Sequence, residues 1–174
     1  MVGRKLENSV AEHRKKSDRS AGVAVITLSM TRSPENDTSG DVIQKLLEEN
    51  GHQVLVRKLI PDNRNVLRAN LRELAREKKI QAIITTGGTG LAPLDVTIEA
   101  VRSMLDKELT GFNSLFMLLS YPQVKSAAML SRALAGTIKG KIVFCLPGSP
   151  RACKLAMESL ILPELSHILM LLGS

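Results

Sequence analysis

Stretches in which almost every residue is apolar alternate along this chain with stretches in which apolar residues recur every three or four positions. Residues 22–29 and 141–146 are of the first kind, as is the shorter run 80–84. Near-continuous apolar runs suit strands covered on both faces, as in a parallel sheet. Residues 53–60 supply another strand, ended by Pro61-Asp62-Asn63. Between these runs the pattern predicts helices. One ends near Glu49 and is closed by Asn50-Gly51; another spans about 64–79, where Val66, Leu67, Leu71 and Ala75 have helical spacing. Two more are predicted over 95–105 and 109–119, with Gly111 and Phe112 at the turn between them. Phe112, Leu115, Phe116 and Leu119 fall on one face, which reads as core or subunit interface. Ser120-Tyr121-Pro122 should break that helix. Residues 126–136 are rich in small side chains and fit a strand or a helix. Beyond Leu146, Pro147-Gly148-Ser149-Pro150 turns into a helix that opens at Arg151. Residues 155–160 and 161–172 continue as helices, interrupted at Pro163. The order predicts an α/β, doubly wound, mostly parallel sheet with helices on both faces.

Candidate chemistry gathers where the strands end, which is where open α/β sheets bind ligands. After residues 80–84 come Thr85 and Thr86, then the loop Gly87-Gly88-Thr89-Gly90. Such a loop serves as a strand-to-helix turn needing positive φ, or as a cradle of N–H groups for phosphate oxygens. It lacks the Lys-Ser/Thr of a Walker A loop, and Pro93 stands where a dinucleotide fingerprint has its last glycine. Asp95, Thr97 and Glu99 follow closely, and carboxylates beside a phosphate cradle suit a nucleotide with magnesium. The loop after residue 29 brings Ser29, Thr31, Arg32 and Asp37. Asp37 and Asp41 also read as helix-capping residues, and Asp62 as the cap of the next helix. Ser149 reads as an N-cap or a ligand contact. Arg151 opposes a helix dipole, which makes it a candidate for an anion. Arg132 reads equally as a surface ion pair.

Composition narrows the choice. The chain has 174 residues, 44% of them hydrophobic, enough for one domain with a sizeable core. No apolar run reaches the ~18 residues of a membrane span, and the first 21 residues lack the apolar centre of a signal peptide, so a cytoplasmic protein is expected. The net charge is +7, and residues 1–21 hold six Lys/Arg against three Asp/Glu. With one Tyr, three Phe and no Trp, stacking platforms for single strands are scarce. The charge suits an anionic small molecule better than nucleic acid. Cys145 and Cys153 form no Cys-x-x-Cys pair, and the three histidines are scattered. Residues 1–20 are expected to form a flexible basic arm, and 21–174 a single domain.

Thr-Thr-Gly-Gly-Thr-Gly followed by Asp95-Val-Thr-x-Glu-Ala resembles the signature of the MoaB/MogA family of molybdenum-cofactor biosynthesis proteins. Asp37-Thr-Ser-Gly-Asp41, Pro61-Asp62, Gly111-Phe112, Ala128-Met-Leu-Ser-Arg132 and Leu146-Pro-Gly-Ser-Pro150 extend the likeness in the family's order over roughly residues 22–172. On length, the MoaB-like branch is expected, in preference to more distant relatives that carry extra domains. The resemblance implies a MogA/MoaB-like molybdopterin-binding fold and a molybdopterin adenylyltransferase, making adenylyl-molybdopterin and pyrophosphate from molybdopterin and ATP with Mg2+. It implies Asp62 and Asp95 as the catalytic, magnesium-holding pair, with Glu99 orienting the metal's waters. Ser29, Thr31, Arg32, Asp37, Thr86, Gly87, Gly88, Thr89, Gly90, Ser131, Arg132, Pro147, Gly148 and Ser149 would bind nucleotide and pterin. It further implies a homotrimer or a hexamer of paired trimers, and hand-off to a molybdenum-insertion protein. Two departures bear on activity: Leu94 stands where the family usually has arginine, and Ile98 where proline is common. They keep open a non-catalytic molybdopterin-binding or assembly protein.

Overall fold

The three most apolar runs become the centre of one sheet. The computed structural model describes residues 20–173, so the basic arm expected at 1–20 lies almost wholly outside the described residues. Strand β1 is Gly22–Leu28, β2 Gln53–Ile60, β3 Ala82–Thr86, β4 Lys107–Glu108, β5 Leu134–Ile138 and β6 Lys141–Leu146. The order across the sheet is β2-β1-β3-β6-β5-β4. The first four of these are parallel, and β5 and β4 continue the sheet antiparallel. β3 lies between β1 and β6 with all five residues buried. β2, at the edge, alternates between exposed and partly buried.

The helices are α1 (Thr38–Glu49), α2 (Arg64–Leu74), α3 (Thr97–Arg102), α4 (Thr110–Val124), α5 (Pro150–Ala156) and α6 (Leu162–Leu171). Alternate residues of each central strand feed two cores. Val23, Val25 and Ile84 meet Ile43 and Leu47 of α1, Phe112 and Phe116 of α4, and the C-terminal helices. Phe112 also packs on Phe144, ring centroids 5.2 Å apart. Ala24, Ile26 and Ile83 meet Leu67 and Leu71 of α2 and Ile98 and Val101 of α3. Burying each such leucine or isoleucine contributes about 1.5–3 kcal/mol.

Several elements differ from the sequence pattern. α2 stops at Leu74, and α3 begins at Thr97, leaving Asp95 in the preceding turn. α4 runs through Pro122. The carbonyl that loses its helical donor there is that of Leu118, an exposed residue, so water can replace the bond. Residues 126–136 divide between the two readings: a 3₁₀ segment, Lys125–Leu130, then β5. A two-residue turn joins β5 to β6, with Lys139 at φ 49° and Gly140 at φ 77°, the left-handed pair of a tight hairpin. Pro163 does not interrupt the final helix. The chain stays helical from Pro150 to Leu171 and absorbs the proline with a π-turn at Met157–Ile161.

Candidate nucleotide and pterin site

The connection through α1 carries the chain from β1 to β2 on one side, and the connection through α2 brings it back to β3 on the other. The C-terminal ends of β1 and β3 therefore flank a topological switch point, the usual crevice of this architecture. Register places the neighbouring ends level: Leu28 pairs with Ile60, and Thr86 with Leu146. Four loops start there, after Leu28, Ile60, Thr86 and Leu146.

The glycine loop is held against its neighbours by backbone. Gly87 has φ +95°, and a Cβ there would lie 2.2 Å from the Leu28 carbonyl oxygen. Gly88 has φ +61°, and its Cβ would lie 2.6 Å from Thr97 Oγ1 and 2.8 Å from Asp62 Oδ1. Only glycine fits both places. The Gly87 N–H donates to the Leu146 carbonyl at 3.1 Å, and Thr97 N–H and Oγ1 donate to the carbonyls of Gly88 and Gly87. The N–H groups of Gly88, Thr89 and Gly90 have no acceptor among the described residues. Three successive free amides are what an anion would need.

Asp62 and Asp95 border this loop from two sides. Asp62 Oδ1 abuts Gly88, and Asp95 Oδ2 abuts Gly90. Asp95 also accepts the Ala92 N–H at 2.8 Å, which fixes its rotamer. Asp62 Oδ1 is buried and has no hydrogen-bond partner. Burial raises the Asp62 pKa, and the charge of Asp95 raises it further; the Met30 N–H works the other way. Asp62 is not the cap of α2. Asn63 takes that role, accepting from the N–H groups of Asn65 and Val66. The carboxylate is thereby left for the loop. Its unpaired oxygen beside a second carboxylate fits a hard cation, and magnesium characteristically takes one or two carboxylates and completes its shell with water and phosphate. Among the described residues no group of three or more His, Cys, Asp or Glu gathers around a metal position.

Two of the three arginines nominated as anion ligands, Arg32 and Arg132, are committed elsewhere. Arg132 donates from Nε to the Thr89 carbonyl at 2.7 Å and from Nη2 to the Gly90 carbonyl at 2.6 Å, and pairs with Glu99 through Nη1 at 2.5 Å. It holds the carbonyl side of the loop, which leaves the amides facing away. Glu99 is accordingly held below the usual carboxylate range, first by its hydrogen bond from Arg132. That makes it a partner of Arg132. Arg32 donates to the Gly148 carbonyl at 2.8 Å and to Ser39 Oγ at 3.0 Å; Ser39 Oγ also donates to Gly148. This ties the β1 loop to the β6 loop.

Asp37 is 2% exposed and serves structure: it caps α1 through Gly40 N–H and accepts from Thr27 Oγ1 and Arg57. Asp41, in the first turn of α1, pairs with Arg57 at 2.7 Å. Thr86 Oγ1 donates to the Pro147 carbonyl at 2.9 Å and lies 3.2 Å from Cys153 Sγ. Ser29 Oγ accepts from the N–H groups of Thr31 and Arg32, shaping the β1 loop and leaving Thr31 exposed at the mouth. Ser149 caps α5 through Ala152 N–H. Ser149 and Ser131 also line a cavity of about 250 Å³ with Arg151, Ser120, Gln123 and Phe116. The nominated residues thus divide between the loops at the switch point and a cleft beside α4 and α5.

Sequence reasoning passed over Ser39, Arg57 and Arg64. Arg57 and Ser39 act through tertiary contacts with Asp37, Arg32 and Gly148, so no local motif marks them. Arg64 carried the same signal as Arg151, a basic residue in a helix's first turn.

A doubly wound sheet with free amides and paired carboxylates at its switch point is the arrangement in which α/β proteins bind ligands. The comparisons narrow this. A family model described as "Probable molybdopterin binding domain" matches residues 24–167. A protein named molybdenum cofactor biosynthesis protein B from Bacillus cereus is 44% identical over 161 residues, covering 92% of this chain and 95% of its own. A crystal structure of a molybdenum cofactor biosynthesis protein B superposes with a TM-score of 0.87 at 42% identity, over 89% of this chain and 97% of that one. The tungsten cofactor synthesizing protein MoaB from Pyrococcus furiosus superposes with a TM-score of 0.81 at 34% identity, over 90% and 99%. The chain belongs to the MoaB/MogA family of molybdenum-cofactor biosynthesis proteins.

Proposed function

We propose that the protein acts in molybdenum-cofactor biosynthesis as a molybdopterin adenylyltransferase. The observation that carries this reading is the row of free amides at Gly88, Thr89 and Gly90 beside the unpaired Asp62 carboxylate. These amides donate to nucleotide phosphates. A phosphate oxygen of molybdopterin forms a bond to the α-phosphorus of ATP as the bridging bond to the β-phosphate breaks, and pyrophosphate leaves with that electron pair. The attacking group is already an anion, so no protein nucleophile is needed; positioning and charge stabilisation supply the rate. Asp62 and Asp95 would hold a magnesium ion, which when bound neutralises charge on the phosphate oxygens. The cleft with Ser131, Ser149 and Arg151 has hydroxyls and a cation for molybdopterin.

Leu94 favours a second reading. It is 64% exposed beside Asp95, so the guanidinium that the resemblance leads one to expect is missing from that position. A non-catalytic molybdopterin-binding or assembly protein would tolerate its loss. The test mixes the protein with molybdopterin and magnesium-ATP and detects adenylyl-molybdopterin. Product from the wild type that is lost in Asp62→Asn and Asp95→Asn supports the enzyme. Bound molybdopterin without product supports the second reading.

The same proposal includes a homotrimer or a hexamer of paired trimers. Leu115, Leu118, Tyr121 and Val124 of α4 and the adjoining Met129 and Leu130 are exposed, more apolar surface than one helical edge needs in water. Light scattering reads the mass. It also includes cytoplasmic residence and hand-off of product to a molybdenum-insertion protein. No helix among the described residues is long and apolar enough to cross a membrane.

A further inference from the structure

With Arg32 and Arg132 committed to backbone carbonyls, the charge needed on the phosphate side of the site must come from another group. Arg64 is the first residue of α2, two positions past Asp62. It is exposed, and among the described residues its guanidinium makes no hydrogen bond or ion pair. Its direction follows from its neighbour one turn on. Arg68, on the same face of α2, reaches α3: its Nη2 is 2.5 Å from Ser103 Oγ and its Nε 3.5 Å from the Ala100 carbonyl. α2 and α3 both leave the C-terminal ends of parallel strands and run the same way. One turn earlier on α2 therefore faces the start of α3, where Thr97 and Glu99 lie. The charge of Arg64 indeed reaches the Glu99 carboxylate. Glu99 is bound to Arg132, which holds Thr89 and Gly90, so Arg64 stands at the rim of the glycine loop on the Asp62 side. A cation in a helix's first turn opposes the dipole, a local cost that a bound anion relieves.

We infer that Arg64 is a substrate-binding residue that grips the pyrophosphate half of the nucleotide, the group that leaves. The inference rests on the nucleotide reading above. Arg64 is at the solvent rim, where a departing anion must pass, and its planar fork suits two phosphate oxygens at once. The adenylyl half, kept after transfer, does not need it.

The experiment is calorimetric titration of ATP, AMP and inorganic pyrophosphate, each with magnesium, into wild type, Arg64→Ala and Arg64→Lys. Arg76→Ala, two residues past the other end of α2 and also exposed, controls for loss of one charge at a distance. Thermal melts check that each variant is folded. Arg64→Ala should bind ATP and pyrophosphate about tenfold or more weakly, the loss expected for a charge-assisted hydrogen-bonded pair. AMP binding should not change, Arg64→Lys should recover part of the loss, and Arg76→Ala should bind like wild type. Wild-type affinity for ATP and pyrophosphate in folded Arg64→Ala would overturn the inference and leave the nucleotide reading standing. Equal weakening of AMP would also overturn it. If the wild type binds none of the three, the nucleotide reading fails and the role of Arg64 fails with it.

Discussion

Arg132 is the most informative single side chain to remove. Arg132→Ala deletes two hydrogen bonds to loop carbonyls, at 2.7 and 2.6 Å, and the pair with Glu99. Hydrogen bonds from a charged group contribute about 1.5–3 kcal/mol each. The Arg132 side chain is 29% exposed, so water takes over part of the role and the lower bound applies. The two carbonyl bonds then stabilise by about 3 kcal/mol. Glu99 is 44% exposed, and such a pair adds about 0–1 kcal/mol. In a domain of this size 1 kcal/mol corresponds to ~2–4 °C, so Tm should fall by ~6–12 °C. The loss should be local as well as global: the Gly87 amide, bonded to the Leu146 carbonyl at 3.1 Å, and the Thr97 amide, bonded to the Gly88 carbonyl at 2.9 Å, should exchange hydrogen faster, since the carbonyl side of the loop is released. Scanning calorimetry reads the first quantity and exchange mass spectrometry the second. A shift under ~2 °C with unchanged loop exchange would refute the claim that Arg132 holds the loop.

Other consequences can be checked alongside. The Asp62 carboxyl titrates above its ordinary range because burial and then Asp95 disfavour its charge; a raised group stabilises while protonated, and that stability is lost as pH rises from the unfolded carboxylate value through the folded one. Asp62→Asn should therefore melt higher than wild type at pH 7 while losing the proposed adenylyl transfer, with the stability gain vanishing below pH ~3 in urea melts. Gly88→Ala, at φ +61° and with a Cβ 2.6 Å from Thr97 Oγ1, should cost at least ~1–2 kcal/mol of left-handed strain and weaken ATP binding, read from urea midpoints and titration. Burial pushes the Cys153 thiol up to about 11; iodoacetamide at pH 7.5 should leave the folded protein unlabelled at this residue and modify it in urea, as mass spectrometry would show.

What could be read from the residues alone depended on how local the cause was. The central strands announce themselves through residues buried on both faces, and the glycine loop through backbone conformations that only glycine accepts. Asn63 shows a local competition: the sequence reads Asp62 as the cap, the structure uses Asn63 instead, and the carboxylate is left free at the switch point. The direction of β5 depended on Lys139-Gly140, a turn whose left-handed lysine is not a strong signal. Arg132 could not have been placed at all, because its acceptors lie 42 and 43 residues earlier. Glycine and aspartate motifs identify the floor of the site; the arginines that shape it are fixed only by tertiary contact. Pro122 continues a helix where the carbonyl it orphans belongs to the exposed Leu118, a fact of burial that composition does not carry.

The bonds from Arg32 and Ser39 to the Gly148 carbonyl span 116 and 109 residues, and this gives the protein a timetable during its synthesis. A nascent chain can pair β1, β2 and β3 and form the glycine loop well before residue 148 leaves the ribosome, as N-terminal segments tend to fold first. Until then the β1 loop has no acceptor to close on, and Gly87 lacks the Leu146 carbonyl that receives its N–H. The glycine loop is thus anchored on its β6 side only after most of the chain has been made.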